Sequence, residues 1–370
     1  MIYLDYQATT PLAPEAREAM RPLMEEAFGN PHSPHRMGRE AKAAVEVARE
    51  RIAAPFGPGG RLAFTSGATE ALNWAIKGIA TPLRNTRPRI VTTAIEHAAV
   101  LDTLGWLATQ GHEVIVLPVS PEGIVDLDAA AAAIDDRTAL VAAMLVNNEI
   151  GTVQPIAELG ALARAAGAVM LCDAVQGYGR VPLPADACDL IALSAHKIHG
   201  PKGIGALWLR DGIVPEPLLH GGGQEAGLRS GTLAPALCAG FGMAAKLMGE
   251  RAGEDALHLA RLFVHARSLL DGWTINGAVD RRYAGNLNIR RDGLDVARLM
   301  SDVREVMFSA GSACASGSGR TSHVLRAIGL SDAQAKSSIR LGFGRYTAEE
   351  DLERAIRLIL AAAERQKAWA

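Results

Sequence analysis

Short apolar runs rich in branched residues alternate with stretches of helical period through the first two-thirds of the chain. Strands are expected at 61–65, 89–93, 113–117, 139–146, 168–172, 189–193 and 205–209. Amphipathic segments lie between most of them, as at 70–80, 97–110 and 156–166. This alternation predicts βαβ units and an α/β fold with a mostly parallel sheet covered on both faces. Only SAHKIHGPKGI separates the last two strands, too little for a crossover helix. That pair is expected to be antiparallel, turning at Gly200-Pro-Lys-Gly203.

The pattern changes after about residue 250. A helical stretch at 255–272 leads to a weaker strand at 286–290, a helix at 294–303, a Gly/Ser segment and a final helix from Thr347. Thr347 and Glu350 have the spacing of a capping box. The expected organisation is a large domain at 15–249 and a smaller α+β domain formed by 1–14 and 250–370. The first dozen residues would fold back onto the smaller domain.

Composition narrows the class. The chain has 370 residues, 49% of them hydrophobic and 21% charged, and a formal net charge of −2. A chain of this size buries ~75% of its unfolded surface, enough for a core without metals or disulfides. The even charge balance and the absence of a basic run speak against nucleic-acid binding. No uninterrupted apolar stretch approaches the ~18 residues of a membrane span, and the first residues, MIYLDYQATT, do not read as a secretory signal. Four cysteines, without a CxxC pair, fit a reducing, cytoplasmic setting. Cys172, Cys188 and Cys238 sit among apolar residues and read as core. Cys314 lies in SAGSACASGSG at 309–319, where every neighbour is Gly, Ala or Ser. The segment reads either as a loop that displays a thiol or as a flexible loop with an incidental one.

In open α/β sheets, ligands bind beyond the carboxyl ends of the strands. Five expected strands end in polar residues of functional type: Ser66-Gly-Ala-Thr-Glu70, Ala94-Ile-Glu-His97, Asn147-Asn-Glu149, Asp173-Ala-Val-Gln176 and Ser194-Ala-His-Lys197. Five such exits on one rim point to one site. Ser66 to Thr69 open a helix whose free N–H groups suit a phosphate, or Ser66 or Thr69 simply caps it. Of seven lysines, only Lys197 directly follows a strongly apolar strand, so it is either a Schiff-base nucleophile or half of a buried ion pair with Asp173. Phosphate cradle, lysine and buried aspartate together match the needs of pyridoxal phosphate. His97 reads as a ring-stacking, proton-moving group or as a capping or core histidine. Arg340 reads as a fork for a carboxylate or as a surface ion-pair partner. His196 with His199, and His32 with His35, lack metal-ligand spacing, so no resident metal is expected.

The chain resembles the cysteine desulfurases of the NifS/IscS type, within the class V aminotransferase group of fold-type I pyridoxal-phosphate enzymes. The matching segments run in order over nearly the whole chain. They are Tyr3-Leu-Asp-Tyr6 with Ala8-Thr-Thr-Pro11, Phe28-Gly-Asn-Pro31, Phe64-Thr-Ser-Gly-Ala-Thr-Glu70, Glu96-His97, Val146-Asn-Asn-Glu-Ile-Gly151 and Asp173-Ala174 with Gln176. They continue through His196-Lys197 with Gly200-Pro-Lys-Gly-Ile-Gly205, His220-Gly-Gly-Gly223, Arg229-Ser-Gly-Thr232, Gly311-Ser-Ala-Cys314 and Ser338-Ile-Arg340.

The resemblance implies the fold-type I large domain, with its seven-stranded sheet, and a role for each matching position. Lys197 would hold pyridoxal 5'-phosphate through a Schiff base. Asp173 would keep the pyridine nitrogen protonated, Gln176 and Asn148 would contact the ring hydroxyl, and His97 would stack on the ring. Ala68, Thr69, Ser194 and His196 would hold the phosphate, joined by Thr232 from the second subunit of a homodimer. Arg340, with Asn148, would bind the carboxylate of L-cysteine. Cys314 would take the substrate sulfur as a persulfide, leave L-alanine and pass the sulfur to an acceptor protein for iron–sulfur assembly or thiolation. Its thiolate would at most ligate a cluster transiently. The alternatives are a selenocysteine lyase or other lyase of this fold, or a non-catalytic cofactor-binding partner. Three departures stand out. Gln7 replaces a usual small residue, with little expected effect. Gly319-Arg-Thr321 lacks the common Leu-Glu-Pro. The chain ends at Ala370, soon after its last helix, where a weaker grip on a scaffold protein is expected.

Overall fold

The computed structural model describes residues 1–311 and 321–367. In chain order it begins β1 (Ile2–Tyr3), α1 (Pro14–Glu25), α2 (Arg36–Ala53), β2 (Gly60–Thr65), α3 (Ala68–Leu83), β3 (Arg89–Thr93), α4 (Ala98–Thr109) and β4 (Glu113–Leu117). It continues with α5 (Leu127–Ala133), β5 (Thr138–Met144), α6 (Ile156–Ala166), β6 (Val169–Asp173), β7 (Leu190–Ser194), β8 (Gly205–Arg210), α7 (Pro235–Glu250) and α8 (Ala252–Leu269). The remainder is β9 (Thr274–Ile275), β10 (Asn286–Arg290), α9 (Val296–Asp302), β11 (Val306–Met307), β12 (Ser309–Ala310), α10 (His323–Ala327), α11 (Asp332–Lys336), β13 (Ser338–Gly342) and α12 (Glu349–Lys367).

Seven strands form one sheet in the order β2-β8-β7-β6-β5-β3-β4. All the pairings are parallel except those of β8, which runs antiparallel to both β2 and β7. The short β7–β8 connection therefore does what its length predicts. His199 at φ 68° and Gly203 at φ 86° make the turn. All seven residues of β5 and all five of β7 are buried. Their side chains alternate between two cores. Leu140, Ala142, Leu190 and Ala192 pack with Leu72, Ile76, Leu104 and Leu107 of α3 and α4. Val141, Ala143, Ile191 and Leu193 pack on the other face with Val45, Leu159 and Phe241. Each buried Val, Leu, Ile or Phe among them contributes roughly 1.5–3 kcal/mol.

A second sheet, antiparallel throughout, has the order β12-β13-β10-β9. Helices α8 and α12 pack against each other, with Leu262, Ala266, Leu352 and Ile356 fully buried. The N-terminal residues do fold back here: β1 pairs with β11, and Asp5 bridges Gly342. Ser309 and Ala310, expected in the Gly/Ser segment, instead pair with Arg340 and Ile339. The rest of that segment, with Cys314, lies outside the described residues. The capping box at Thr347 is not formed. Its hydroxyl accepts from the N–H of Gly344 at 3.1 Å, and the helix starts at Glu349. Cys172, Cys188 and Cys238 are buried core residues.

Gly205 begins β8 at a point of close approach. A Cβ there would lie 2.6 Å from the carbonyl carbon of Gly67 and 2.6 Å from the Leu193 oxygen. Gly205→Ala must push two backbones apart, at a cost of about 1–3 kcal/mol. Urea unfolding is expected to show a lower midpoint at unchanged slope, and an unchanged midpoint would refute the close packing.

Candidate active site

The five strand exits converge on one cavity of about 680 Å³. The turn between β2 and α3 forms its first wall. Gly67 is the N-cap of α3, and no side chain caps the helix, so neither Ser66 nor Thr69 takes that part. The first-turn N–H groups are left to an anion. The turn is fixed from outside. Glu70 accepts from the Ser66 N–H at 2.7 Å and is clamped by Arg229 at 2.7 and 3.1 Å.

His97 is the N-cap of α4, its Nδ1 accepting from the Ala99 N–H at 3.1 Å. Capping and cavity-lining are thus one position. The cap makes Nδ1 the acceptor, so the neutral ring carries its proton on Nε2. After β5, the Asn147 Oδ1 accepts from the N–H groups of Glu149 and Ile150 at 2.8 and 3.0 Å. This turn delivers Asn148 to the cavity, and its carbonyl accepts from Arg340 Nη1 at 3.0 Å.

Asp173 ends β6 and is 6% exposed, with Oδ1 accepting from the Val175 N–H at 3.0 Å. Burial raises its pKa, a rise that the Val175 N–H, His97 and Lys197 only partly offset. Gln176 donates to the Gln7 carbonyl at 2.9 Å and accepts from Arg180 at 2.7 Å. Beyond β7, Ser194 is buried, and the helical turn Ala195–Lys197 presents His196 and Lys197. Lys197 Nζ donates to the carbonyls of Gln7 and Ala8 at 2.6 and 2.8 Å. His196 Nδ1 lies 3.2 Å from Thr9 Oγ1. Burial, aided by Lys197 and Lys202, pushes its pKa down to about 4, so it is neutral at pH 7.

Arg340 reaches the cavity from β13 and is 1% exposed, which rules out a surface ion pair. Its Nη2 meets Asp5 Oδ1 at 2.8 Å and Ser309 Oγ at 3.3 Å, while its Nε has no partner among the described residues. Ala68, Thr69, His97, Asn148, Asp173, Gln176, Ser194, His196, Lys197 and Arg340 all line this one space. Thr232 is exposed and does not line it. Cys314 lies outside the described residues.

Sequence reasoning missed several contributors. Gln7, Ala8 and Thr9 line the cavity, as does Lys202. Gln7 is buried, donates to the Gly285 carbonyl at 2.9 Å and leaves its own Oε1 unpartnered. Two buried carboxyls stand beside the cavity residues His97 and Asn148. Glu96 accepts from Thr93 Oγ1 at 2.6 Å and from the Met144 N–H at 3.0 Å. Glu149 accepts from Ser322 Oγ at 2.5 Å. Burial pushes their pKa values up to about 8 and about 7. The signal lay in the strand-exit pattern, since both carboxyls lie within exits that it singled out, although neither was given a role.

Residues 2–355 match the aminotransferase class-V family. The chain belongs to that family. It is 44% identical over 370 residues to the cysteine desulfurase IscS of Rickettsia akari (strain Hartford), covering 97% of this chain and 90% of that protein. Among solved structures, a NifS-like protein superposes with a TM-score of 0.91 at 33% identity, over 97% of this chain and 98% of that one. A structure described as SspA in complex with cysteine superposes with a TM-score of 0.84 at 35% identity, over 94% of this chain and 100% of that one.

The cofactor of this class-V chain is pyridoxal 5'-phosphate. The residues fit it on their own chemistry. The uncapped start of α3 suits the phosphate, and a buried aspartate suits a protonated ring nitrogen. Lys197 supplies the amine within the same cavity. Among the described residues, no cluster of three or more His, Cys, Asp or Glu is placed to hold a metal.

Glu149 carries a pH dependence whose sign is fixed. Its folded pKa is about 7 against an ordinary 4.5. Between those values the folded state holds a proton that the unfolded state has lost, so the group's contribution to stability falls as pH rises. Glu149→Gln removes that loss and keeps an acceptor for Ser322. The variant's stability relative to wild type is expected to rise between pH 4.5 and pH 8 by about 1–3 kcal/mol, read by urea unfolding. A gap that stays constant with pH would contradict the assignment.

Proposed function

We propose that this chain is a cysteine desulfurase that converts L-cysteine to L-alanine and forms a persulfide on Cys314. The observation that carries the reading is the meeting of Lys197, Asp173, the uncapped start of α3 and buried Arg340 in one cavity. Full-length similarity to cysteine desulfurases supports it. Bound pyridoxal phosphate supplies an electron sink that acidifies the substrate α-carbon and makes the β-sulfur open to attack.

The chain's own residues do the rest. Lys197 would hold the cofactor covalently and, as a free amine, would carry the substrate α-proton. Asp173 balances the charge of the ring nitrogen, Ala68, Thr69, Ser194 and His196 hold the phosphate, and Gln176 and Asn148 position the ring hydroxyl. His97 stacks on the ring and offers its Nε2 proton. Arg340 takes the substrate carboxylate on its guanidinium fork. The Cys314 thiolate attacks the substrate sulfur, the carbon–sulfur bond breaks, and protons delivered to the carbon skeleton complete alanine. The persulfide then serves an acceptor protein in iron–sulfur assembly or thiolation.

Three further parts belong to this reading. The active unit is a homodimer in which exposed Thr232 reaches the phosphate of the other subunit's site. The chain divides into a large domain at 15–249 and a small one comprising 1–14 and 250–370, in keeping with its separate sheets. It works in the cytoplasm; no described helix is long and apolar enough to cross a membrane.

Lys197→Ala is expected to abolish borohydride-fixed cofactor and to lower desulfuration by at least about 10³-fold, the scale of losing a covalent-catalysis lysine. Peptide mapping of the reduced wild type should place the label on Lys197, and a label on another lysine would sink the reading. Cys314→Ser is expected to keep the bound cofactor and its spectral response to cysteine yet form no persulfide. Desulfuration at the wild-type rate in that variant would remove Cys314 from the mechanism.

A further inference from the structure

A second cavity, of about 180 Å³, is linked to residues of the first by hydrogen bonds. Arg180 lines it while donating to Gln176 Oε1 at 2.7 Å and to the Lys197 carbonyl. The remaining charged lining groups are Arg282, Arg345 and Asp255, with His199 beside them.

These charges do not balance. Three guanidinium groups face one carboxylate, and that carboxylate is spent. Arg345 Nε bonds both oxygens of Asp255 at 3.1 and 3.0 Å, and Nη2 adds a contact of 2.6 Å. Among the described residues, Arg282 bonds only carbonyls, those of Ala278, Ile150 and Asn286 at 2.9–3.0 Å, and its buried Nε has no partner. Its pKa is pushed down to about 10 by burial, with Arg267 adding to the effect. Arg180 bonds an amide and a carbonyl and stacks over Tyr283 at 5.0 Å. Among the described residues, neither Arg180 nor Arg282 makes an ion pair. His199 is neutral at pH 7, its pKa pushed down to about 4 by burial. Arg180 and Arg282 are half-buried; cations withdrawn from water without a counter-ion are costly, and an anion in the space they line reduces the cost.

We propose that this cavity is a binding site for a small oxyanion, either an inorganic tetrahedral anion or the carboxylate of a small acid. Its occupancy reaches the first cavity through Arg180, which holds both the Gln176 side chain and the Lys197 backbone. The inference rests on this cavity alone and stands apart from the reaction assigned to the first.

The test uses holoenzyme with its cofactor in place, so that the cofactor's phosphate fills its own site. Thermal midpoints are measured against sodium sulfate and sodium acetate, each compared with chloride at matched ionic strength. Sulfate stabilises proteins generally by exclusion, which gives a non-saturating rise. Specific binding adds a saturable component that follows ln(1 + [L]/Kd). The wild type is expected to show that component at millimolar anion. With both anions, the shared oxyanion chemistry holds; with sulfate alone, the site is inorganic; with acetate alone, it prefers carboxylates. Arg282→Gln is expected to lose it. Because Arg282 also caps three carbonyls and its loss can unfold the chain, Ala256→Phe provides the second arm. Ala256 is an exposed residue of α8 on the cavity wall, and a phenyl group there fills the space while every arginine stays. This variant is expected to keep basal activity and lose the saturable component. A wild type with no saturable component, or one that persists in Ala256→Phe, overturns the proposal; the latter places the anion elsewhere, as at Arg340.

Discussion

Arg340 and Asp5 form the contact on which the site depends. A guanidinium 1% exposed has given up its water and must find acceptors within reach. Asp5 supplies the charge at 2.8 Å, Asn148 a carbonyl at 3.0 Å and Ser309 a hydroxyl at 3.3 Å. Those three come from the N-terminal segment, the exit of the large sheet and the edge of the small one. Breaking a buried pair of this kind from one side costs about 3–5 kcal/mol, far more than a surface bridge. The same N-terminal segment then runs to Gln7 and Ala8, whose carbonyls hold the Lys197 amine. One ion pair therefore fixes both the group that can fork a carboxylate and the strand of chain that orients the lysine.

Much of this was legible in the sequence because it is local. The 286–290 strand and the 156–166 helix lie where the periodicity puts them, and the brevity of the β7–β8 connection dictates its antiparallel pairing. The strand exits were readable for the same reason, since each functional residue follows its strand directly. What failed was long-range or competitive. The Asp5–Arg340 bond spans 335 positions and leaves no local trace, so a buried arginine and a surface one looked alike. Glu96 and Glu149 stood within the strand exits, but nothing local showed that the fold would remove their water. Thr347 had the spacing of a cap, but a turn closer to it claimed the hydroxyl.

The two cavities differ in how they treat charge. In the first, cationic Lys197 and acidic Asp173 share the space with a helix N-terminus, so an anionic ligand with a protonatable ring can meet complementary groups throughout. In the second, cations outnumber anions and are held mainly by carbonyl dipoles. Arg180 lines the second and bonds residues of the first, so any shift of its guanidinium is felt at Gln176 and at the backbone that carries the lysine.

The span between Asp5 and Arg340 also has a consequence during synthesis. At about 5–20 residues per second, roughly 20–70 seconds pass between the emergence of these two residues from the ribosome. Throughout that interval Leu4 and Tyr6, almost fully enclosed in the finished protein, have none of their eventual neighbours from β13 onward. The large sheet can assemble meanwhile, because its strands all lie between residues 60 and 210. A nascent chain can thus hold its leading segment against the ordered sheet through Gln7 and Ala8 while Leu4 and Tyr6 still lack their partners from β13 onward. A chain broken off before Arg340 keeps those two side chains without that cover.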